Sequence, residues 1–572
     1  MHTTRAPRRQ TPVILWMTTL LLTAPVALTA QSILPPEMIQ AIDAVFADID
    51  ATGPGCALGV VIKQELVYGK GYGMANLDYG LPITTRSNFY LGSVGKQFTA
   101  AAVAHAVREG HLSLDDPIQK WVPEIPEYEK PTTVRHLIHH MSGIRDYLNL
   151  WGLAGIRAED VNSDEEVLSL LGRQKNPNFP AGDRYLYSNS GYFLLAQIVG
   201  RATGKTLREY TEEEILHPLG MTRTYIHDDR LEVMDQRVVG YQAMAGGGYR
   251  MNNPWNFDKV GSGGVHSSIE DLVHWDRNYY TEEVSGPGFT EQLRERGVLN
   301  NGQALPYAFG LTHGRYRGVA TIGHGGALAG FRSDLLRFPE QETTVLVLCN
   351  YPNSDPPTRG RQVADVVLAD HLEPLLEAEA EEAPTGPETA VDLTPDELDA
   401  FVGHWRASMG IEVEIRREGD RLIFSQDGGR TPVIVLANDR LRLEASDIDM
   451  TLSRLTAGKF TFMEVVQRGQ EFTAERFDPS EPVSVTRDYS EVVGEYYSEE
   501  LDVTYRLVQE EGGLMVRGPL GQRGLVLLED NGQIRTPFGT LVLQREGGEI
   551  VGFILEAGRA VGMVFRRVVG GT

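Results

Sequence analysis

The first third of the chain combines apolar stretches of two different periods. Residues 34–51 place apolar side chains at helical spacing, which predicts an amphipathic helix. Residues 57–62 and 66–73 are rich in Val, Leu, Ile and Tyr, which is typical of a two-stranded hairpin. The Ala- and Val-rich run that follows is apolar on nearly every face and predicts a buried helix extending to about Glu109. Helices and strands mixed in this way indicate an α/β domain.

Further elements of the same two kinds continue to about residue 372. The pattern predicts a short helix over residues 133–141, a helix over residues 193–202, and strands over residues 333–338 and 343–348. We assign residues 31–375 to this first domain.

The last third of the chain has a different pattern, of short strands in two repeated blocks. Residues 398–405 and 489–496 resemble each other at an offset of 91 residues, and alternating apolar and polar strands follow each copy. Short period-two strands separated by turns predict an antiparallel barrel or sandwich in each block. We assign the blocks to residues 393–480 and 481–572.

Two segments differ in composition from these domains. Residues 1–30 carry three arginines, then an apolar run and small residues, as in a secretory signal peptide, although an uncleaved anchor would look similar. No later stretch is long and apolar enough to span a bilayer. We therefore expect a secreted or periplasmic protein without a stable membrane span after cleavage.

Residues 376–392 are acidic, contain proline and predict a linker.

The charge of the chain restricts its partners. The 572 residues carry a formal net charge of −25, which becomes about −28 once the three arginines of the leader are removed. Such a charge disfavours nucleic acid and anionic membrane surfaces as partners. Nothing in the sequence indicates an oligomeric state.

The first candidate for chemistry is a Ser and a Lys three residues apart, Ser93 and Lys96, before the buried helix. Serine is a weak nucleophile that needs a neighbouring base, and a lysine can be that base when burial disfavours its charged form. One helical turn places both side chains on the same face. The spacing alone is a weak signal, because short motifs occur by chance.

Two later segments offer partners for this pair. Tyr187 and Asn189 lie at a predicted loop-to-helix junction, where a phenol could relay a proton and an amide could hold a substrate amide. His324 is followed by Gly325, Gly326 and Ala327, a glycine-rich sheet edge whose N–H groups could bind a substrate backbone or an oxyanion. Each segment taken alone is as readily explained by packing.

The two cysteines, Cys56 and Cys349, open and close predicted strands. Exported proteins can form disulfides, yet two buried free thiols are at least as consistent with the sequence. The sequence contains no Cys or His cluster with metal-ligand spacing, and we expect neither a metal nor a cofactor.

Together these motifs resemble those of the penicillin-binding protein and serine β-lactamase superfamily, in particular its branch of class C β-lactamases, DD-peptidases, D-aminopeptidases and related esterases. The resemblance covers about residues 34–372 and rests on Ser93-Val-Gly-Lys96, Tyr187-Ser-Asn189 and His324-Gly-Gly326, with accessory matches at residues 135–143 and 263–271. It implies a β-lactamase/transpeptidase-like α/β fold, in which an antiparallel sheet is flanked by helices and a helical subdomain. Two small antiparallel β-barrel domains would follow.

The resemblance also implies roles for the matched residues. Ser93 would attack an amide or ester carbonyl and form an acyl-enzyme. Lys96 and Tyr187 would share the acid and base work, and the sequence does not say which of them takes the serine proton. Asn189, His324 and Gly326 would contact substrate, and the N–H groups of Ser93 and Ala327 would form the oxyanion hole.

One position departs from the β-lactamase pattern, because His324 stands where those enzymes usually carry Lys. A histidine is mostly neutral near pH 7 and attracts a substrate carboxylate less than a lysine does. This difference favours an aminopeptidase, amidase or esterase acting on a small peptide, amide or ester over a β-lactamase or carboxypeptidase.

The layout of one domain followed by two barrels resembles the D-aminopeptidases of this superfamily. In those proteins a loop of the last barrel restricts the active-site mouth, and residues 518–524 are the candidate for such a loop here. The barrels could equally be spacers or binding modules. The sequence therefore favours an exported D-aminopeptidase-like serine hydrolase. The alternatives are an esterase or amidase without D-specificity, or a sensor that is acylated without turnover.

Overall fold

The computed structural model describes residues 34–374, apart from 158–159 and 245–246, and most of residues 393–568, with short gaps mainly between strands. The proposed leader over residues 1–30 and linker over residues 376–392 lie outside the described residues. Both remain sequence predictions, as do the exact domain boundaries.

The first domain contains ten α-helices in its described part. They are α1 (Pro36–Ala44), α2 (Lys96–Arg108), α3 (Val134–Ile138), α4 (Tyr147–Ala154), α5 (Asp164–Gly172), α6 (Asn189–Thr203), α7 (Leu207–Thr211), α8 (Ile269–Thr281), α9 (Phe289–Leu293) and α10 (Pro356–Val367). Short 3₁₀ turns cover Gly92–Gly95, Ile118–Lys120, Pro339–Gln341 and Pro352–Ser354, and a π-helical turn, Glu212–Leu216, follows α7.

The described strands of the same domain form one large sheet and three small ones. They are β1 (Cys56–Ile62), β2 (Glu65–Tyr72), β3 (Met74–Asn76), β4 (Leu81–Pro82), β5 (Phe89–Tyr90), β6 (Tyr225–Ile226), β7 (Tyr241–Ala243), β8 (Tyr249–Met251), β9 (Val265–Ser267), β10 (Thr312–Tyr316), β11 (Val319–Leu328), β12 (Phe331–Phe338) and β13 (Thr343–Cys349). The large sheet has the order β10-β11-β12-β13-β1-β2 and every neighbouring pair is antiparallel.

The sheet separates two apolar cores because side chains alternate along its central strands. On β1, Ala57 and Val61 join the core that contains α2, α6 and α8, whereas Leu58 and Val60 join the core with α1 and α10. Successive residues of a strand point to opposite faces, so a strand that is buried on both sides is apolar throughout. This explains why residues 56–62 form a continuous apolar run.

The helices differ from the sequence prediction mainly at their ends. Helix α1 ends at Ala44 instead of continuing to residue 51, because the backbone changes there to turns in which the N–H groups of residues 45–47 bond three residues back. Helix α2 is buried from Lys96 to Ala106, as its all-round apolar pattern predicts. Helix α6 begins at Asn189, four residues earlier than predicted.

A disulfide joins Cys56 to Cys349, which face each other across β1 and β13. The bridge connects strands 293 residues apart in sequence, and both cysteines are buried among the α1 and α10 side chains. The bridged alternative for the two cysteines is therefore the one observed.

The two small C-terminal domains are all-β, as expected. The first contains α11 (Pro395–Leu398) and a closed barrel of β14 (Gly403–Ala407), β15 (Glu412–Glu418), β16 (Arg421–Gln426), β17 (Gly429–Leu436), β18 (Arg440–Leu443), β19 (Ile448–Thr456), β20 (Lys459–Gln467) and β21 (Gln470–Phe477). Its core is built around the buried Trp405.

The last domain is a nine-stranded antiparallel sheet in its described part. Its strands are β22 (Gly494–Ser498), β23 (Val503–Glu510), β24 (Gly513–Arg517), β25 (Arg523–Leu525), β26 (Leu527–Leu528), β27 (Gln533–Thr536), β28 (Gly539–Glu546), β29 (Glu549–Ala557) and β30 (Ala560–Arg567), with a 3₁₀ turn at Pro519–Gly521. Its apolar core is continuous with that of the first domain, and the Tyr505 hydroxyl donates to the Leu153 carbonyl at 3.0 Å. Within the described ranges, no helix has the length and apolar character needed to cross a membrane.

Candidate active site

Ser93 lies in the 3₁₀ turn that leads into α2. Gly92, directly before it, has φ +55°, and a Cβ at this position would lie 2.6 Å from the Ala327 nitrogen. Only glycine combines this backbone conformation with such a close approach of another chain segment. The turn therefore presents Ser93 beside strand β11.

Lys96, the first residue of α2, is fully buried and faces Ser93. Its Nζ lies 3.2 Å from the Ser93 Oγ, 2.9 Å from the Asn189 Oδ1 and 2.5 Å from the Ser262 carbonyl oxygen. The Asn189 and Ser262 oxygens can only accept hydrogen bonds, so Nζ donates to both.

The arrangement serves both protonation states of the lysine, because an ammonium has a third hydrogen to donate to the Ser93 Oγ. A neutral amine has two hydrogens, which these two oxygens use, and one lone pair, which remains for the Ser93 hydroxyl. Burial lowers the pKa of Lys96 to about 7, with the nearby Asp146 acting in the opposite direction and Arg559 in the same one. Lys96 can therefore accept the serine proton in a large fraction of molecules near neutral pH.

Tyr187 closes the other side of the pair. The Lys96 Nζ lies 4.9 Å from the centre of its ring, and burial raises the pKa of Tyr187 well above its ordinary value, with the neighbouring Ser93 side chain acting in the opposite direction. The phenol is protonated at neutral pH and suits proton donation to a leaving group.

Asn189 is held by a buried carboxylate that sequence reasoning missed. Asp146 accepts hydrogen bonds from the Asn189 backbone N–H at 2.7 Å and from its Nδ2 at 3.0 Å. The other oxygen of Asp146 caps helix α4 by accepting from the N–H groups of Leu148 and Asn149. The amide group of Asn189 is therefore fixed with its oxygen toward Lys96.

His324 lies on β11 at the edge of the site. Its Nδ1 donates to the Gly325 carbonyl at 2.6 Å, since a carbonyl can only accept, and in a neutral ring Nε2 then accepts from the Tyr307 hydroxyl at 3.0 Å. Burial and the neighbouring Lys96 lower the pKa of His324 to about 4. The imidazole is neutral at pH 7, in agreement with the sequence argument.

Strand β11 presents a free edge to Ser93 from His324 onwards. Its pairing with β10 ends at Gly323, whereas its pairing with β12 continues to Leu328. A Cβ at Gly326 would lie 2.0 Å from the Leu91 carbonyl oxygen and 3.0 Å from the Ser93 nitrogen. This close approach brings the Ser93 and Ala327 nitrogens, the predicted oxyanion donors, to one junction.

A turn of the last domain completes the site. Arg559, between β29 and β30, lies with its guanidinium carbon 5.6 Å from the centre of the Tyr187 ring and its Nη1 3.3 Å from the Asp146 Oδ2. The contacts observed with the site come from the β29–β30 turn. Residues 518–524 are described only in part, and their assignment as the approaching loop stays a prediction.

The structure thus brings together all seven residues that the sequence suggested. It adds Asp146, Ser262, Tyr307 and Arg559, which sequence reasoning did not assign to the site. Ser262 acts through its backbone carbonyl, a group that has no sequence signature. Within the described residues, no group of three or more His, Cys, Asp or Glu side chains could hold a metal ion.

Comparison with known proteins agrees with this geometry. The Beta-lactamase family profile matches residues 42–368, more than half of the chain. The chain is 26% identical to the D-aminopeptidase of Brucella anthropi over 536 residues, covering 90% of this chain and 96% of the relative. It is also 25% identical to penicillin-binding protein 4* of Bacillus subtilis, covering 71% of this chain and 92% of the relative.

A solved structure shows the same fold. The octameric penicillin-binding protein homologue from Pyrococcus abyssi superposes with a TM-score of 0.54 at 23% identity, over 76% of this chain and 99% of that one. Profile, relatives and fold agree with one another and with the Ser93–Lys96 geometry. The chain is a serine hydrolase that belongs to the beta-lactamase family.

Proposed function

We propose that this protein hydrolyses a small amide or ester through an acyl-enzyme on Ser93. We further propose that its preferred substrates belong to the class on which D-aminopeptidases act. The observation that carries the acylation step is the Lys96 amine, which lies 3.2 Å from the Ser93 Oγ while two carbonyl oxygens use its hydrogens. The D-aminopeptidase class is supported by relatives of that name that align along 88–90% of the chain.

The order of the reaction steps follows from the positions of these residues. Lys96 takes the proton of Ser93 as its Oγ attacks the carbonyl carbon, and the N–H groups of Ser93 and Ala327 stabilise the resulting oxyanion. Tyr187 donates a proton to the departing amine or alcohol and recovers one from the Lys96 ammonium. Water then loses a proton to the restored base as it attacks the acyl carbonyl. The ester bond to Ser93 breaks, the acid leaves, and the Ser93 oxygen takes that proton back.

A second candidate is an esterase or amidase that does not need a free amino group on its substrate. An aminopeptidase recognises a substrate ammonium, for which a free carboxylate is the natural partner. Asp146, the carboxylate that acts on Lys96, already accepts from Asn189 and Arg559. Asp146 is therefore not available to bind a substrate ammonium, and this favours the second candidate.

The test of acylation is labelling by a fluorophosphonate, which modifies activated serines. The wild-type protein should be labelled on Ser93 and should lose hydrolysis in proportion, while Ser93→Ala should neither label nor hydrolyse. Ser113→Ala, at an exposed turn, is the matched control and should behave as wild type. Unchanged hydrolysis in folded Ser93→Ala would exclude the mechanism.

The substrate class is tested separately with D-alanine and L-alanine p-nitroanilides, each with a free or an acetylated amino group, and with short p-nitrophenyl esters. Preference for the free D-compound supports the D-aminopeptidase class. Equal or better turnover of acetylated compounds and esters supports the second candidate. A single burst of acylation without steady turnover would indicate a sensor.

We also propose that the protein is exported. The leader-like residues 1–30 carry the sequence evidence, and the Cys56–Cys349 disulfide is of the kind that persists in oxidising compartments. Fractionation of the native host, with detection of a mature protein that lacks residues 1–30, tests this. Full-length protein in the cytosol would refute it.

A further inference from the structure

The turn between β29 and β30 is bound to the first domain through its backbone. The Asp146 N–H donates to the Arg559 carbonyl at 3.1 Å, and the Asn178 Nδ2 donates to the same oxygen at 3.0 Å. Asn178 also accepts from the Val561 N–H at 2.9 Å. These bonds fix the turn without help from the Arg559 side chain, which is therefore available for another role.

That side chain is directed at a buried charge. The Asp146 side chain is fully buried, whereas 33% of the Arg559 side chain is exposed. A buried carboxylate without a cation is costly, and removal from water strengthens its pull on any neighbouring amine. The Arg559 Nη1, 3.3 Å from the Asp146 Oδ2, supplies the compensating charge.

We propose that Arg559 is a positioning residue of the active site. It neutralises Asp146, which orients Asn189 against Lys96, so that the last domain completes the catalytic centre of the first. This inference rests on the proposed acyl-enzyme function and gives the last domain an electrostatic role, besides the access, spacer and binding roles considered from the sequence.

The other groups around Lys96 do not replace this charge. Besides Asp146 and Arg559, the titratable groups observed around Lys96 in the described part of the chain are neutral near pH 7: His140 after α3, Tyr187 before α6, Tyr192 on α6 and His324 on β11. Burial lowers the pKa values of the two histidines and raises those of the two tyrosines. Asp146 and Arg559 are therefore the two charges that set how readily Lys96 loses its proton.

The two charges act in opposite directions, which makes the proposal testable. Without Arg559, the uncompensated Asp146 favours the protonated form of Lys96, and without Asp146, the remaining Arg559 favours the neutral form. The rate of fluorophosphonate labelling should rise with pH as Lys96 loses its proton. The midpoint of that rise reports the charge balance at Lys96 in the full-length protein.

We expect the midpoint to move upward by about one pH unit in Arg559→Gln and downward in Asp146→Asn. The double variant should return toward the wild-type midpoint, and Arg559→Lys, which keeps the charge, should lie close to it. Arg545→Gln is the matched control, because Arg545 pairs with Glu491 within the last domain. Its midpoint should equal that of the wild type.

Equal midpoints in all labelled variants, with lower labelling rates, would overturn the proposal and leave Arg559 a purely structural contact. If Arg559→Gln fails to fold, Asp146→Asn still tests the proposal. Its labelling midpoint should move downward, opposite to the shift expected for Arg559→Gln. Absence of labelling in the wild type would instead refute the proposed function itself. The two failures are therefore distinguishable.

Discussion

Replacing Glu500 by Gln should loosen the last domain from the first. The Glu500 Oε1 accepts from the Arg145 Nη1 at 2.7 Å and from the Lys175 N–H at 2.9 Å, and both side chains of the ion pair are at most 4% exposed. The Arg145 Nε also donates to the Val561 carbonyl, two residues beyond Arg559. The substitution therefore weakens the contact that positions the β29–β30 turn.

The expected cost follows from the burial of the pair. Removing one partner of a buried ion pair leaves the other charge unpaired and typically costs about 3–5 kcal/mol. Gln keeps one acceptor oxygen for Arg145, and Gln174 still accepts from the Arg145 Nη1 at 2.8 Å. We therefore expect the lower end of that range, about 3 kcal/mol, in the apparent free energy of unfolding.

Glu499→Gln provides a matched control one residue away. Glu499 pairs with Lys175, but the two side chains are 73% and 58% exposed, and exposed pairs contribute about 0–1 kcal/mol. Urea unfolding of the variants, followed by tryptophan fluorescence, measures both costs. Replacing Arg145 and Glu500 together by Met should recover part of the loss, since no unpaired charge then remains.

Equal unfolding free energies for Glu500→Gln and Glu499→Gln would refute this reasoning, because they would show that burial adds nothing to the contact. A loss in Glu500→Gln that the double Met variant deepens would also contradict it. In that case the stability would come from the ion pair itself, and the loss in Glu500→Gln would not be the cost of leaving Arg145 unpaired.

Three further predictions concern the site and the sheet. The rate of acylation should increase with pH through a midpoint near 7, because the protonated form of Lys96 cannot accept a proton, and a stopped-flow pH series measures this. Gly326→Ala should reduce acylation at least tenfold, since its Cβ would lie 2.0 Å from the Leu91 oxygen, whereas a melting curve should show the fold intact. Replacing both Cys56 and Cys349 by Ala should lower stability by about 2–5 kcal/mol in denaturant titration, with little effect on labelling.

Much of the fold was predictable because its elements have strong local patterns. The continuous apolar run of β1 and the Ala-rich α2 indicated a buried strand and a buried helix, and both are observed. The repeated C-terminal blocks predicted two β domains, and both are present. Helix α1 was predicted too long, because the apolar pattern does not reveal the change to turns bonded three residues back after Ala44.

The candidate site was predictable where side chains in recognisable motifs form it. Ser93, Lys96, Tyr187 and Asn189 belong to such motifs and meet in the structure. Contacts between residues far apart in sequence were not predictable, and Arg559 reaches Asp146 from 413 positions away. Arg559 belongs to no recognised motif, and only the packing of the domains shows what its turn contacts.

The most direct test of the account is time-resolved mass spectrometry of the intact protein during turnover of a p-nitrophenyl ester. We expect a transient mass increase equal to the acyl group, located by peptide mapping on Ser93, that forms faster as the pH rises through 7 and disappears when substrate is exhausted. Sustained hydrolysis without an adduct on Ser93, or with undiminished rate in Ser93→Ala, would contradict it.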